Sequence, residues 1–379
     1  MTDPVADAEA AVQRIWARTT ARISDADAAL LAACPERTLM MDKLLLMHAT
    51  QSGDLKAALT PAERVFADEP GAESAQNLAL LLHQLGRSDD CIAFAEANRS
   101  TFAESIWYDL MAMVHSDIGA ADKAADFGTG ALRAKDAACA EAPVLAPVTR
   151  PFDIEAPTRN IIAFSLWGQD PRYLMGAVNN AVVARYLYPG WTCRFYLDDS
   201  VPGATVDQLR RQGAQIARVG GDWTADRFGL FWRFLVEDDA NVDLYLVRDA
   251  DSVMNIKERA AVEDWLASGH TFHVMRDLPR HSELILAGMW GAHRGNIGGM
   301  AARIRAHVDA PGKSLGNVTT DQVFLRREVW PIVRQDVLMH DAAMDLPGTT
   351  RFREEFALPR TLHIGQNDWK HVRREKAAG

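Results

Sequence analysis

The sequence predicts an α/β protein in two parts: an all-α domain of helical repeats, then a mainly parallel sheet covered by helices on both faces. Three observations carry this. Gly53, Gly86 and Gly119 recur every 33 residues within a stretch rich in Ala and Leu. Four of the 16 prolines crowd together at Pro143, Pro147, Pro151 and Pro157. Beyond them, short apolar runs alternate with segments of helical periodicity.

Length and composition set the frame. A chain of 379 residues fits two domains, and 48% hydrophobic with 24% charged residues is ordinary for a globular protein. No apolar run reaches the roughly 18 residues of a membrane span. The N-terminus has no basic start followed by an apolar stretch, so a secretory signal is not expected. Cys34, Cys91, Cys139 and Cys193 are too far apart for a paired-cysteine metal site, and a reducing cytoplasm is the expectation. Net charge is −10; residues 1–140 hold 21 acids against 12 bases and the remainder 30 against 29, which argues against nucleic acid as a partner.

In the first 140 residues strong helix formers dominate. Eight residues before each repeat glycine stands Leu45, Leu78 or Met111; five after it stands Ala58, Cys91 or Ala124. A tight turn between helices needs a residue that tolerates positive φ, and close helix packing needs small side chains. A period of 33–34 residues with this pattern resembles the tetratricopeptide repeat. The expected role of residues 1–140 is partner contact or self-association. Residues 141–157 form a Pro-rich linker, and a second domain occupies 158–379.

That domain alternates regularly. NIIAFSLW reads as a buried strand, YLMGAVNNAVVARYLYP as a helix and TCRFYLDD as a strand. TVDQLRRQG is a helix, AQIARV a strand, GLFWRFLVED a helix and VDLYLVRD a strand. Alternation of this kind predicts crossover connections and a mostly parallel sheet, with ligands bound beyond the carboxyl ends of the strands. The loop after the fourth strand carries Asp249-Ala250-Asp251. Two carboxylates so spaced at a strand end can converge on one hard cation, leaving its other positions to water and substrate phosphates.

From these residues onward the chain resembles the GT-A glycosyltransferases, and more closely their retaining family 8. The resemblance rests on LFWRFLVEDDANVDLYLVRDADSVMN, LAGMWG, TTDQVFL and LHIGQNDWK, in that order. It implies a GT-A fold, Rossmann-like with a mainly parallel sheet, and a nucleotide-sugar donor, with a UDP-sugar as the expected one. It implies a divalent cation, Mn²⁺ or Mg²⁺, on Asp249, Asp251 and His363. Asp321 and Gln322 fall on the family's catalytic pair. Arg233, Asp249, Gly288, Gly365 and Lys370 fall on positions that line the donor. Retention at the transferred carbon is also implied.

Other residues are candidates by chemistry and place. Ser165, Trp167 and Tyr173 surround the loop after the first strand, where a base would be received, and either aromatic could stack on it or pack the loop. Arg276 and Asp277 end the apolar alternation HTFHVMRD and suit sugar hydroxyls; Trp290 suits a sugar face or the core equally. Asp321 suits a helix N-cap as well as a reactive centre. The leading expectation is a metal-dependent glycosyltransferase acting on an unknown glycan, lipid-linked or protein acceptor. The alternative is a non-catalytic nucleotide-sugar-binding or scaffold protein whose repeats recruit a partner. A nucleotidyltransferase is disfavoured by the missing Gly-rich phosphate loop.

Overall fold

The computed structural model describes residues 3–17, 22–310, 320–359 and 362–367. Its contacts divide the chain into two compact units, Met1–Ala131 and Leu132–Gly379.

Among its described residues the first unit is helices joined by turns. After α1 (Pro4–Trp16) and α2 (Asp25–Ala33) come three hairpins. They are α3 (Leu39–Ser52) with α4 (Leu55–Asp68), α5 (Ala72–Gln84) with α6 (Ser88–Ala97), and α7 (Glu104–Asp117) with α8 (Ala121–Ala137). Each hairpin turns on one of the recurring glycines, at φ of 76°, 77° and 81° for Gly53, Gly86 and Gly119. Ala58, Cys91 and Ala124, five residues on, are buried where the helices meet, as are Leu45, Leu78 and Met111. The 33-residue period is therefore a structural repeat.

The second unit begins inside α8. Lys135, near its end, donates to Ser282 O at 2.7 Å, and Asp136 accepts from Trp330 Nε1 at 2.6 Å. The Pro-rich segment that follows is extended and fastened to the same unit. Leu145 N donates to Gln335 Oε1, Val148 N to Asn296 Oδ1 and Arg150 N to His293 Nδ1, each at 2.8 Å. Prolines there remove donors, and these three N–H groups find side-chain acceptors.

An eight-stranded sheet organises the rest. Its strands are β1 (Asn160–Leu166), β2 (Thr192–Leu197), β3 (Gln215–Arg218), β4 (Leu244–Val247), β5 (Phe272–Arg276), β6 (Trp290–His293), β7 (Val337–Asp341) and β8 (Thr349–Thr350). They lie in the order β3-β2-β1-β4-β6-β5-β7-β8. All neighbours are parallel except β6, which runs antiparallel between β4 and β5. The fold is α/β, a Rossmann-like, mainly parallel sheet preceded by helical repeats. Residues of β1 alternate between two apolar cores: Ile161 and Ala163 join Trp232, Tyr245 and Trp290, while Ile162 and Phe164 join Leu246 and Trp265.

Helices follow the strands: α9 (Pro171–Leu187), α10 (Gly203–Arg211), α11 (Ala225–Phe228), α12 (Ile256–Ser268), α13 (Met300–Val308), α14 (Thr320–Phe324) and α15 (Trp330–Val333). GLFWRFLVED, expected as an α-helix, is instead a run of 3₁₀ turns over Gly229–Asp238. It is buried on nearly every side, so packing rather than helix propensity decides its winding. Among the described residues no helix is long and apolar enough to cross a membrane. All four cysteines are free, and burial pushes the Cys91 and Cys193 thiols up to about 11 and 12.

Candidate functional site

The aspartate triplet leaves β4 at the sheet's carboxyl edge. Arg248, just before it, turns into the core: its Nε pairs with Glu258 at 3.1 Å, and its NH1 donates to Val247 O and Trp290 O. Arg248 thus fixes the strand end. α9 crosses directly beneath the loop. Gly176 lies so close that a Cβ would stand 2.4 Å from Ala250 O. One turn on, the buried Asn180 amide donates to Ala250 O and Ser252 O, and its oxygen accepts from Met254 N. These bonds satisfy loop backbone groups that would otherwise be buried unpaired. Gly176 and Asn180 share one helix face, a signal present in the sequence and overlooked.

Arg233 joins two motifs. Its guanidinium bonds Asp249 Oδ1 at 2.5 Å and Asp321 Oδ2 at 2.8 Å, while its buried Nε has no partner among the described residues. Its backbone N–H goes to Ser165 Oγ at 2.9 Å. Ser165 thereby positions Arg233 through its hydroxyl. Burial pushes the Asp321 carboxyl up to about 6, against the opposing pull of Arg233. Gln322 N donates to Asp321 Oδ1 at 2.9 Å, and the Gln322 side chain has no hydrogen-bond partner among the described residues. A π-turn over Leu325–Val329 follows, a local widening often found at functional sites.

Asp251 faces the other way along the loop. Its Oδ2 takes Arg172 Nε at 2.6 Å and Asn367 Nδ2 at 2.8 Å, with the Arg172 terminal nitrogen also in contact. Burial raises the Asp251 carboxyl, and the nearby Asp249 raises it further. Tyr173 is exposed, with the Arg172 guanidinium 5.0 Å above its ring. Trp167 packs edge-on against Trp232 at 5.9 Å and covers Gly229, where a Cβ would meet its ring at 3.1 Å. Gly288 lies against Asp249.

Residues 364–367 come back across the triplet. Ser252 Oγ donates to Gly365 O at 3.1 Å, Val253 N to Gln366 O at 3.3 Å, and Ser252 pairs with Asn367 as an antiparallel bridge. Asp277 holds this segment: its Oδ2 accepts from Ile364 N at 2.8 Å, and Lys257 pairs with its other oxygen. Asp277 is spent on positioning. Arg276 is fully buried and likewise spent, on Asp341 Oδ2 at 2.7 Å and Leu284 O at 2.8 Å, so it presents no donor to a sugar. Trp290 is core, packed on Tyr245 and Phe234.

The His363 imidazole does not join the aspartates. Its Nδ1 donates to Ile364 O at 2.8 Å, and its ring lies 5.2 Å from that of His281. Asp277 N donates to His281 Nδ1, so neutral His281 carries its proton on Nε2. Burial and then His363 push His281 down to about 3. Lys370 lies outside the described residues. Sequence reasoning placed Arg172 in the loop expected to receive the base without its pairing to Asp251, and missed Asn180, Lys257 and Asn367; Asn367, two residues beyond Gly365, was the easiest to find.

Among the described residues no three His, Cys, Asp or Glu side chains are grouped to hold a metal ion. The two triplet aspartates still fit a cation of the kind that takes one or two protein carboxylates and fills its shell with water and phosphate. Asp249 Oδ2 and Asp251 Oδ1 accept no hydrogen bond among the described residues, whereas the opposite oxygen of each is occupied. Three carboxylates, Asp249, Asp251 and Asp321, face two guanidiniums, which leaves negative charge in excess.

No protein-family model matches this chain, and no curated protein matches it. Among solved structures it is similar to a mutant O-GlcNAc transferase of Thermobaculum terrenum, with 18% identity and a TM-score of 0.36, over 65% of this chain and 47% of that one. The chain thus spans about half the length of that transferase. It is also similar to 4-diphosphocytidyl-2C-methyl-D-erythritol synthase of Anaerococcus prevotii DSM 20548, with 9% identity and a TM-score of 0.32, over 58% of this chain and 96% of that one.

Proposed function

We propose that this protein is a metal-dependent glycosyltransferase that takes its sugar from a nucleoside diphosphate, UDP by the family resemblance, and transfers it with retention. The observation that carries the reading is the Arg233 bridge between Asp249 and Asp321, which draws the aspartate triplet and the Asp321-Gln322 pair into one cluster. Motifs so far apart in sequence have no structural need to share a buried arginine at the sheet edge where α/β ligands bind.

Asp249 and Asp251 would hold the divalent cation, Mn²⁺ or Mg²⁺, which neutralises the departing diphosphate. The chain's own groups do the rest. Arg233 fixes Asp249 and Asp321 relative to each other. Gln322, its amide unspent, lies next to Asp321 and is placed to orient the sugar or to stabilise positive charge at the transferred carbon. Gly288 lets the chain pass close to Asp249. Trp167 and Tyr173 offer ring faces to the base. The acceptor is a glycan, a lipid-linked sugar or a protein, and the repeats would bind a partner or a second copy. Four free thiols suit a reducing cytoplasm.

Thermal-shift measurements with UDP, GDP and CDP, with and without Mn²⁺, test the reading. Metal-dependent stabilisation by one diphosphate is expected, because a ligand of the folded state raises its stability. It should vanish in Asp251→Ala. No response to any diphosphate would overturn the enzyme reading in favour of a scaffold.

A further inference from the structure

Arg172 and Asp251 form an ion pair unlike the others at this site. Arg233 is nearly buried and clamped from two sides. Arg172 reaches in from solvent: its side chain is 38% exposed, that of Asp251 only 9%. It can therefore leave without opening the core. Its Nε and terminal nitrogen both approach Asp251 Oδ2, the oxygen that Asn367 also contacts, so the pair is not a two-oxygen fork. A guanidinium matches two acceptor oxygens side by side, and this arrangement leaves that capacity partly unused. The residue sits in the first turn of α9, its N–H capped by Asp170 Oδ1 at 2.9 Å and its guanidinium over Tyr173.

We infer that Arg172 is an exchangeable counter-ion: it neutralises Asp251 in the empty protein, is displaced by the divalent cation, and then binds the donor's diphosphate. The inference rests on the proposed donor site and extends it by a phosphate-binding residue. A cation arriving alone at Asp251 meets the guanidinium's like charge and must displace it. A diphosphate arriving alone meets the excess carboxylate charge of Asp249, Asp251 and Asp321. Arriving together, the two ligands exchange partners: the cation takes the aspartates, and the phosphate oxygens take the freed guanidinium in its preferred bidentate geometry. Each ligand then strengthens the other, reciprocally.

The test is a binding cycle that needs no turnover. Mn²⁺ affinity is read by the loss of free-ion electron paramagnetic resonance signal, and UDP affinity by calorimetry with and without Mn²⁺, for the wild type, Arg172→Gln and Arg172→Lys. Arg172→Gln is expected to bind Mn²⁺ alone about fivefold or more tighter, to bind UDP with Mn²⁺ at least about fivefold weaker, and to lose most of the coupling. Arg172→Lys keeps the charge without the fork; it should keep the weak Mn²⁺ binding and recover only part of the UDP affinity. A merely structural arginine would not tighten metal binding when removed. Unchanged or weaker Mn²⁺ binding by Arg172→Gln, with Mn²⁺-dependent UDP binding intact in the wild type, overturns the exchange and leaves the donor site standing. Absence of Mn²⁺-dependent UDP binding in the wild type overturns both.

Discussion

Gly288 is packed so closely on Asp249 that a Cβ there would lie 2.2 Å from Oδ2 and 2.9 Å from the backbone nitrogen of the aspartate. A methyl group would have to push the carboxylate out of its place beside Arg233. Gly288→Ala should therefore weaken Mn²⁺-dependent nucleotide binding by roughly tenfold or more, while the melting temperature drops only a few degrees. Calorimetric titration and a thermal melt, run on the same preparation, check both halves of the prediction.

Loss of Arg233 should hurt folding as well as the site. Arg233→Met leaves Asp249 and Asp321 without their shared cation, one of them buried, which should cost on the order of 3–5 kcal/mol. Adding Asp321→Asn to that variant removes the stranded charge, so the double variant should be more stable than Arg233→Met alone. Urea unfolding of the two single variants and the double variant measures the coupling.

Asp321 predicts a pH dependence of definite sign. Its carboxyl lies at about 6 in the folded protein against an ordinary value of 3.8. Between those values the folded chain holds a proton that the unfolded chain has released. The contribution of this group to stability is therefore present below about 3.8 and lost as pH rises through about 6. Relative to Asp321→Asn, the wild type should lose unfolding free energy between pH 4.5 and 7.5. Paired denaturation curves at the two pH values report it, and a flat difference would show that Asp321 titrates normally.

Gln322 should separate binding from chemistry. Its amide makes no hydrogen bond among the described residues, so Gln322→Ala should melt with the wild type and keep its affinity for UDP with Mn²⁺. Transfer or donor hydrolysis should fall by about 100-fold, the usual cost of removing one group that stabilises charge at the reacting centre. Full activity would remove Gln322 from the chemistry.

Local patterns in the sequence foretold the features that local physics controls. The repeat glycines stand out because a tight turn between helices favours a residue that tolerates positive φ, and one recurs every 33 residues. Asp249 and Asp251 are visible because a charged triplet ending an apolar strand must lie at a sheet edge. Asp321 could be suspected from its motif, but not that burial would raise its carboxyl, because that depends on a core assembled from distant segments outweighing the pull of Arg233. Arg276 and Asp277 look like ligands when written in a line; only the fold shows their charges answered by Asp341 and Lys257. The 3₁₀ winding of Gly229–Asp238 is likewise a tertiary effect. His363 lies in a segment that does reach the triplet, yet it is Asn367, with no charge to draw attention, that touches Asp251.

The bridge between Ser252 and Asn367 also bears on timing. During synthesis β1 to β4 leave the ribosome long before residues 364–367, so a nascent chain can build half of its sheet while Asp251 and Asp277 still lack the segment that laces them. Cleavage or a fusion that disturbs this last lace should yield a folded but incompetent protein. Any assay of a shortened version would then report on the missing clasp rather than on the chemistry beneath it.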